Sequence, residues 1–321
     1  MPSSINRRTF LAASAAAGAS LAIAGRISGA PFKTKLRKAL IGAPSKEVFE
    51  SWKAAGFEGM ETTEWQASPS KAAEARKLAE SFGLQIHSVL FGWGNLNGGP
   101  AALADGVAKM ESALKTAKEY GASTVLYVPC KIEGMPIPDS SEFDIRFDAK
   151  TGHLKQAVRG NNAKYKKYID AHNHAVDAAR EGVRKLIPTA KKTGVVIALE
   201  NVWNNLWVKP DLFANFVASF QSPWVRAYFD IGNHIKFAPP QVWIHTLGKL
   251  IVKCHVKDFK LNAKGGGDHS GFCPLGQGSV NWAAVRKALD EVGYNGWMTI
   301  EGGGLSLADQ SKQLDAIISG K

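Results

Sequence analysis

Four short apolar runs in this chain each close on a carboxylate or a histidine, and together they leave little freedom in how it folds. They are Val195-Val196-Ile197-Ala198-Leu199-Glu200, Val225-Arg226-Ala227-Tyr228-Phe229-Asp230, Leu250-Ile251-Val252-Lys253-Cys254-His255 and Trp297-Met298-Thr299-Ile300-Glu301. Short, near-continuous apolar runs of this kind suit strands covered on both faces, as in a parallel sheet. The closing residues Glu200, Asp230, His255 and Glu301 stand 30, 25 and 46 residues apart, each interval long enough for one helix and its connections. Parallel strands ending on one rim would gather these four side chains around one point. Three oxygen donors and one imidazole suit a hard or borderline divalent cation such as Mn²⁺, Mg²⁺ or Co²⁺.

The same alternation extends toward the N-terminus. Leu36–Gly42 is an apolar run, followed by Ser45 as the cap of a helix with Val48, Phe49 and Trp52 on one face. Residues 56–61, 84–90 and 123–128 read as the next three strands, the third of the chain carrying His87. Between them Ser68-Pro69 opens one helix, and Leu103, Val107, Met110 and Leu114 mark the face of another. With the four runs that end on ligand-capable residues the strands number eight, which favours an α/β fold of the closed (β/α)8 TIM-barrel type. A length of 321 residues with 45% apolar composition is ample for one such domain. No G-x-G-x-x-G follows the first strand, which argues against a dinucleotide-binding sheet. Residues 131–162 interrupt the alternation without clear periodicity and read as a long loop leaving the catalytic rim, suited to covering a substrate. The helix after it, from about residue 163 to 192, places Tyr165, Ile169, His172, Val176, Ala179, Val183 and Leu186 on one face. His172 is therefore expected in the core and His174 in solvent.

The first 30 residues are expected to be a signal and residues 31–321 the barrel. Asn6-Arg7-Arg8-Thr9-Phe10-Leu11 is a twin-arginine pattern, an alanine-rich run follows, and Ser28-Gly29-Ala30 offers a cleavage site. The run is short for a membrane span, so no stable span is expected after removal, and the mature protein would be periplasmic or otherwise exported. Losing Arg7, Arg8 and Arg26 lowers the formal charge from +12 to +9. The remaining basic residues are spread along helix faces without interleaved aromatics, which argues against nucleic-acid binding. Cys130, Cys254 and Cys273 show no metal-binding spacing. Cys254 should face away from the rim, and a pairing of Cys130 with Cys273 is open in an oxidising compartment.

Leu199-Glu200-Asn201, Tyr228-Phe229-Asp230-Ile231-Gly232-Asn233-His234, His255-Val256-Lys257-Asp258 and Thr299-Ile300-Glu301 together resemble the xylose-isomerase-like barrel superfamily. Within it, the chain is most similar to the sugar phosphate isomerase/epimerase branch of ketose 3-epimerases and hydroxypyruvate isomerases. Gly276-Gln277-Gly278-Ser279-Val280-Asn281-Trp282 resembles the G-x-G-x-[VI]-x-W segment of that family, whose glycines would let backbone approach the site, with Ser279 or Asn281 capping the next helix. The resemblance implies that Glu200, Asp230, His255 and Glu301 bind one metal ion, with Glu200 and Glu301 doubling as the acid–base pair. It also marks departures. Those epimerases carry a histidine three residues after the aspartate, where this chain has Asn233 and then His234, and a glutamate six residues after the first ligand, where this chain has Leu206.

A cation that chelates a ketone oxygen and the adjacent hydroxyl acidifies the neighbouring C–H and stabilises the resulting enediolate. Returning the proton from the other face epimerises that carbon, returning it to the carbonyl carbon isomerises the sugar, and expelling a leaving group makes the reaction a lyase. A sugar isomerase or epimerase is the leading expectation. A lyase or hydratase on keto-sugars or 3-keto-glycosides and a non-catalytic carbohydrate-binding barrel are the alternatives. Export disfavours phosphorylated substrates. His87, Asn233, His234, Lys257 and Trp203 are the candidate sugar contacts, and a homo-oligomer is compatible with this reading. His87 could equally fill the barrel, Trp93, Trp203 and Trp207 could stack on a sugar or simply pack, and Glu61 could reach the site or form a rim salt bridge.

Overall fold

Strand runs and helical faces alternate through the chain as the apolar pattern demands, and a computed structural model describes the result for residues 31–321. The signal expected over residues 1–30 lies outside the described residues. Eight parallel strands close on themselves: β1 (Leu36–Gly42), β2 (Gly59–Thr62), β3 (Gln85–Trp93), β4 (Thr124–Val128), β7 (Val196–Glu200), β8 (Val225–Asp230), β9 (Ile251–Val256) and β12 (Gly296–Ile300). Around the barrel the order is β1, β12, β9, β8, β7, β4, β3 and β2. The helices are α1 (Lys46–Ala54), α2 (Pro69–Ser81), α3 (Pro100–Tyr120), α4 (Lys166–Thr193), α5 (Pro210–Ala218), α6 (Pro240–Leu247), α7 (Trp282–Glu291) and α8 (Leu307–Ile318). This is a single (β/α)8 TIM barrel.

Local chemistry starts and stops the helices where the sequence calls for it. Ser45, Ser68, Asn281 and Ser306 each accept a hydrogen bond from a backbone N–H in the first turn of α1, α2, α7 and α8. Gly121 and Gly194 end α3 and α4 at φ 73°, a conformation that costs glycine little.

Side-chain parity divides the core into two. Val125, Tyr127, Ile197, Leu199, Phe229, Cys254 and Met298 belong to the large core between strands and helices. Leu126, Val128, Ala198 and Tyr228 form a smaller cluster inside the barrel. Two residues beyond Ala198 and Tyr228, on the same inward face, come Glu200 and Asp230. Parity thus aims both carboxylates into the mouth of the barrel and turns Cys254 toward the helices, as expected.

The insertion at 131–162 is ordered. It contains an antiparallel hairpin of β5 (Phe143–Phe147) and β6 (Leu154–Val158), with Phe143, Leu154, Ala157 and Val158 buried. A second two-stranded ribbon pairs β10 (Asp258–Phe259) with β11 (Phe272–Cys273) beyond the end of β9. Cys130, Cys254 and Cys273 are all free thiols. The open pairing of Cys130 with Cys273 is not made: Cys130 is sealed in the core with its thiol donating to Ala175 O, whereas Cys273 lies on the half-buried β11.

Candidate metal centre

The C-terminal ends of β7, β8, β9 and β12 bring Glu200, Asp230, His255 and Glu301 together, with one ligand atom from each lying within 4.8 Å of the others. Adjacent strands hold the set in register, since Asp230 is the partner of His255 in the β8–β9 ladder. Glu301 follows directly on β12, its N–H donating to Val256 O at 3.1 Å. His255 is wholly buried and Nδ1 faces Glu200 Oε1 and Glu301 Oε2, each at 3.0 Å. Asp230 is buried as well, and its Oδ2 has no hydrogen-bond donor; the Lys257 ammonium lies 3.4 Å away. Lys257 also meets Glu301 Oε2 at 2.8 Å. The donor set fits a divalent cation: three carboxylates converge with an imidazole nitrogen aimed into them, and one carboxylate oxygen awaits a partner.

The electrostatics follow from crowding acids in a dry pocket. Burial raises the Glu200 carboxyl, with His255 opposing it. Burial raises Asp230 to about 7, against the pull of Lys257. Glu301 goes the other way: burial would raise it, but His255 and Lys257 outweigh that and hold it well below the carboxylate range. Burial alone would lower His255, yet Glu61, Glu301 and Glu200 hold it well above an ordinary imidazole. In the metal-free protein the cluster therefore retains protons that a cation would displace.

Two cavities open on this rim. Glu301 is the most exposed of the four and lines an open cavity of about 430 Å³ with Ile41, Leu90, Trp52 and Gln310. On the same rim, a polar cleft of about 280 Å³ lies between residues 138–143 and the 262–267 loop, walled by Lys236, Phe237 and Asn205. None of the four cluster residues lines this cleft. Trp203 packs between the two, its ring carrying the Lys236 ammonium 3.2 Å from its centroid and its indole N–H donating to Asn233 O.

The remaining expected contacts divide into those near the cluster and those that are not. Lys257 is in it. Asn233 braces it, its N–H donating to Asp230 Oδ1 at 2.7 Å and its Oδ1 accepting from Lys257 at 3.3 Å. Trp203 stands on the rim, packed on Phe259, His269 and Phe272. His87 is not presented to a ligand: it is fully buried inside the barrel, stacked on Trp297 at 4.4 Å and hydrogen-bonded with Thr299. His234 is also turned away, buried against Phe237 and Trp243 with Nδ1 satisfied by Asn201. Burial pushes the imidazoles of both down, that of His234 to about 3. Trp207 is core, packed on Phe213 and Phe216, and Trp93 is half exposed. The G-x-G segment approaches Asp258, not the cluster. A Cβ on Gly278 would fall 2.0 Å from Asp258 Oδ1, and Asn281 is the helix cap.

Of the two readings open for Glu61, reaching the site is the one the structure shows. Glu61, wholly buried on β2, places Oε2 2.5 Å from His255 Nε2. It is not a rim salt bridge.

Comparison with known proteins agrees with this architecture. Residues 49–316 match the family described as xylose isomerase-like TIM barrel. An uncharacterized protein of Methanocaldococcus jannaschii is 26% identical over 136 residues, a stretch covering 40% of this chain and 44% of that relative. The chain thus spans less than half the length of the curated relative it matches. A solved D-tagatose 3-epimerase-like protein superposes with a TM-score of 0.65 at 19% identity, covering 88% of this chain and 97% of its own. The 3-keto-D-glucoside 4-epimerase of E. coli superposes with a TM-score of 0.62 at 15% identity, covering 89% and 99%. At such identities the likeness is one of fold.

Proposed function

Because the chain belongs to the xylose isomerase-like TIM barrel family, we propose that it is a divalent-metal-dependent sugar isomerase or epimerase, working by proton transfer at the carbon beside a carbonyl. The observation that carries this reading is the convergence of Glu200, Asp230, His255 and Glu301 at the C-terminal mouth of the barrel. These four residues would hold the ion through their carboxylates and His255 Nδ1. When bound, a divalent cation supplies Lewis-acid polarisation of the substrate carbonyl. Mn²⁺, Mg²⁺ and Co²⁺ all suit the donors.

The proton chemistry falls to the two glutamates. Glu301, the more open of the pair and lining the cavity, would take a proton from carbon. Glu200, the deeper of the two, would return one from the other side of the substrate. The Lys257 ammonium, pinned between Glu301 and Asp230, can balance negative charge gathering on substrate oxygens. Water is kept from the inner half of the cluster by the burial of His255, Asp230 and Glu200.

The polar cleft beyond Trp203 supports a substrate larger than a free ketose, such as an oxidised glycoside. The twin-arginine segment favours an exported protein and hence an unphosphorylated sugar. Proton NMR in D₂O tests the proposal directly, with the Mg²⁺-loaded protein offered free ketoses, sugar phosphates and 3-keto-glycosides. Deuterium should enter beside the carbonyl as a stereoisomer or an aldose appears, and Glu200→Gln or Glu301→Gln should slow this by about 100- to 10,000-fold. Release of an aglycone or of water would make the protein a lyase instead. Binding of sugars with no exchange at all would make it a carbohydrate-binding barrel.

A further inference from the structure

Glu61 has no proton to move in the chemistry above and no place among the four ligands, yet its carboxylate is fully enclosed. Its position is hard to explain by packing. β2 stands three strands from β9 around the barrel, so the contact with His255 spans the interior and is not inherited from a strand ladder. Its other oxygen, Oε1, has no hydrogen-bond donor. Lys253, buried two residues before His255 on the same strand, attracts Glu61 electrostatically and makes no hydrogen bond to it. A buried carboxylate in such a setting is a net burden on stability, and an apolar side chain of similar size would serve a packing role at least as well.

What Glu61 does secure is the orientation of one ring. The two nitrogens of His255 face opposite ways: Nε2 toward Glu61 Oε2, Nδ1 toward Glu200 and Glu301. We propose that Glu61 is a positioning residue for the metal centre, accepting the Nε2–H hydrogen bond so that the ring cannot turn and Nδ1 keeps its lone pair for the cation. A histidine ligand braced through its far N–H by a carboxylate gains both a fixed tautomer and greater donor strength. The inference rests on the reading of the four-residue cluster as a metal site.

Two measurements test it. The first uses the wild-type chain, ¹⁵N-labelled at histidine and loaded with diamagnetic Zn²⁺. The His255 resonances should show Nε2 protonated and Nδ1 coordinated, and a ring coordinated through Nε2 overturns the proposal. The second compares Mn²⁺ affinity by calorimetry, and the visible absorption of bound Co²⁺, in wild type, Glu61→Gln and Glu61→Leu. Glu61→Leu should weaken Mn²⁺ binding about 10- to 100-fold and alter the Co²⁺ bands. Glu61→Gln, which still offers a carbonyl oxygen to Nε2–H, should recover much of both. Wild-type affinity and bands in the two variants, even with lower melting temperatures, would reduce Glu61 to a packing residue. Failure of the wild type itself to bind either ion would remove the metal reading and this proposal together.

Discussion

At the scale of single residues, the proposed metal site sets protons against a cation. Asp230 is raised to about 7 by burial, Glu200 is raised for the same reason, and His255 is kept protonated by the carboxylates around it. A divalent ion would have to displace protons from these groups, so its affinity should climb as pH rises through neutrality. Calorimetry of Mn²⁺ binding in buffers of differing ionisation enthalpy should show roughly one or more protons released per ion near neutrality. An affinity flat between pH 5.5 and 8.5, with no proton release, would mean that the ion sits elsewhere. The four-residue cluster was legible in the sequence because each member closes an apolar run, and parallel strands carry their ends to one rim. Glu61 was legible only as one of two readings, since its partner lies across the barrel and sequence distance says nothing of what meets inside. His87, for which filling the barrel was the equal alternative, and His234 both turn out buried for a related reason. A histidine on or beside a strand end looks available, but depth along the barrel axis and the direction taken after the strand are set by tertiary packing.

At the scale of elements, the segment after β9 owes its shape to Asp258. Its Oδ1 accepts from the N–H groups of Phe259 and Val280, and its Oδ2 from Gly276 N and Trp282 Nε1. One carboxylate therefore ties β10, the G-x-G segment and the start of α7 together, directly behind Lys257. Gly278 is glycine because Asp258 leaves no room for a Cβ. Asp258→Ala should cost about 3 kcal/mol, since several buried donors lose their acceptor at once. Urea denaturation measures that loss, and hydrogen exchange should show residues 274–281 opening first. Gly278→Ala should reproduce the loosening with the carboxylate intact. Unchanged stability in both would show the tie to be dispensable. The motif itself was legible, but its target was not: glycines announce a close approach without naming what approaches. The β5–β6 hairpin was illegible for a different reason. Its strands are five residues each, and Pro136, Pro138 and Gly152 around them read as loop chemistry.

At the scale of the whole molecule, the barrel is stitched to its helices by buried imidazoles that must stay neutral. His172, in the second turn of α4, is fully buried with Nε2 donating to Leu206 O at 3.1 Å, which joins the long helix to the segment following β7. Burial lowers it to about 4, and lowers His234, lodged between β8 and α6, to about 3. The unfolded chain would protonate both near 6.5. As pH falls below that value the unfolded state gains protons that the folded state refuses, so stability is full above about 6.5 and drains away as pH approaches 4. For His172 alone the loss should reach on the order of 3 kcal/mol by the time its folded form titrates. His172→Gln should therefore lower stability at pH 7 but flatten its decline between pH 6.5 and 4, and comparing the two chains cancels every other titrating group. Chemical denaturation across that range decides the matter: parallel curves for the variant and the wild type would show that this histidine is not what acid attacks.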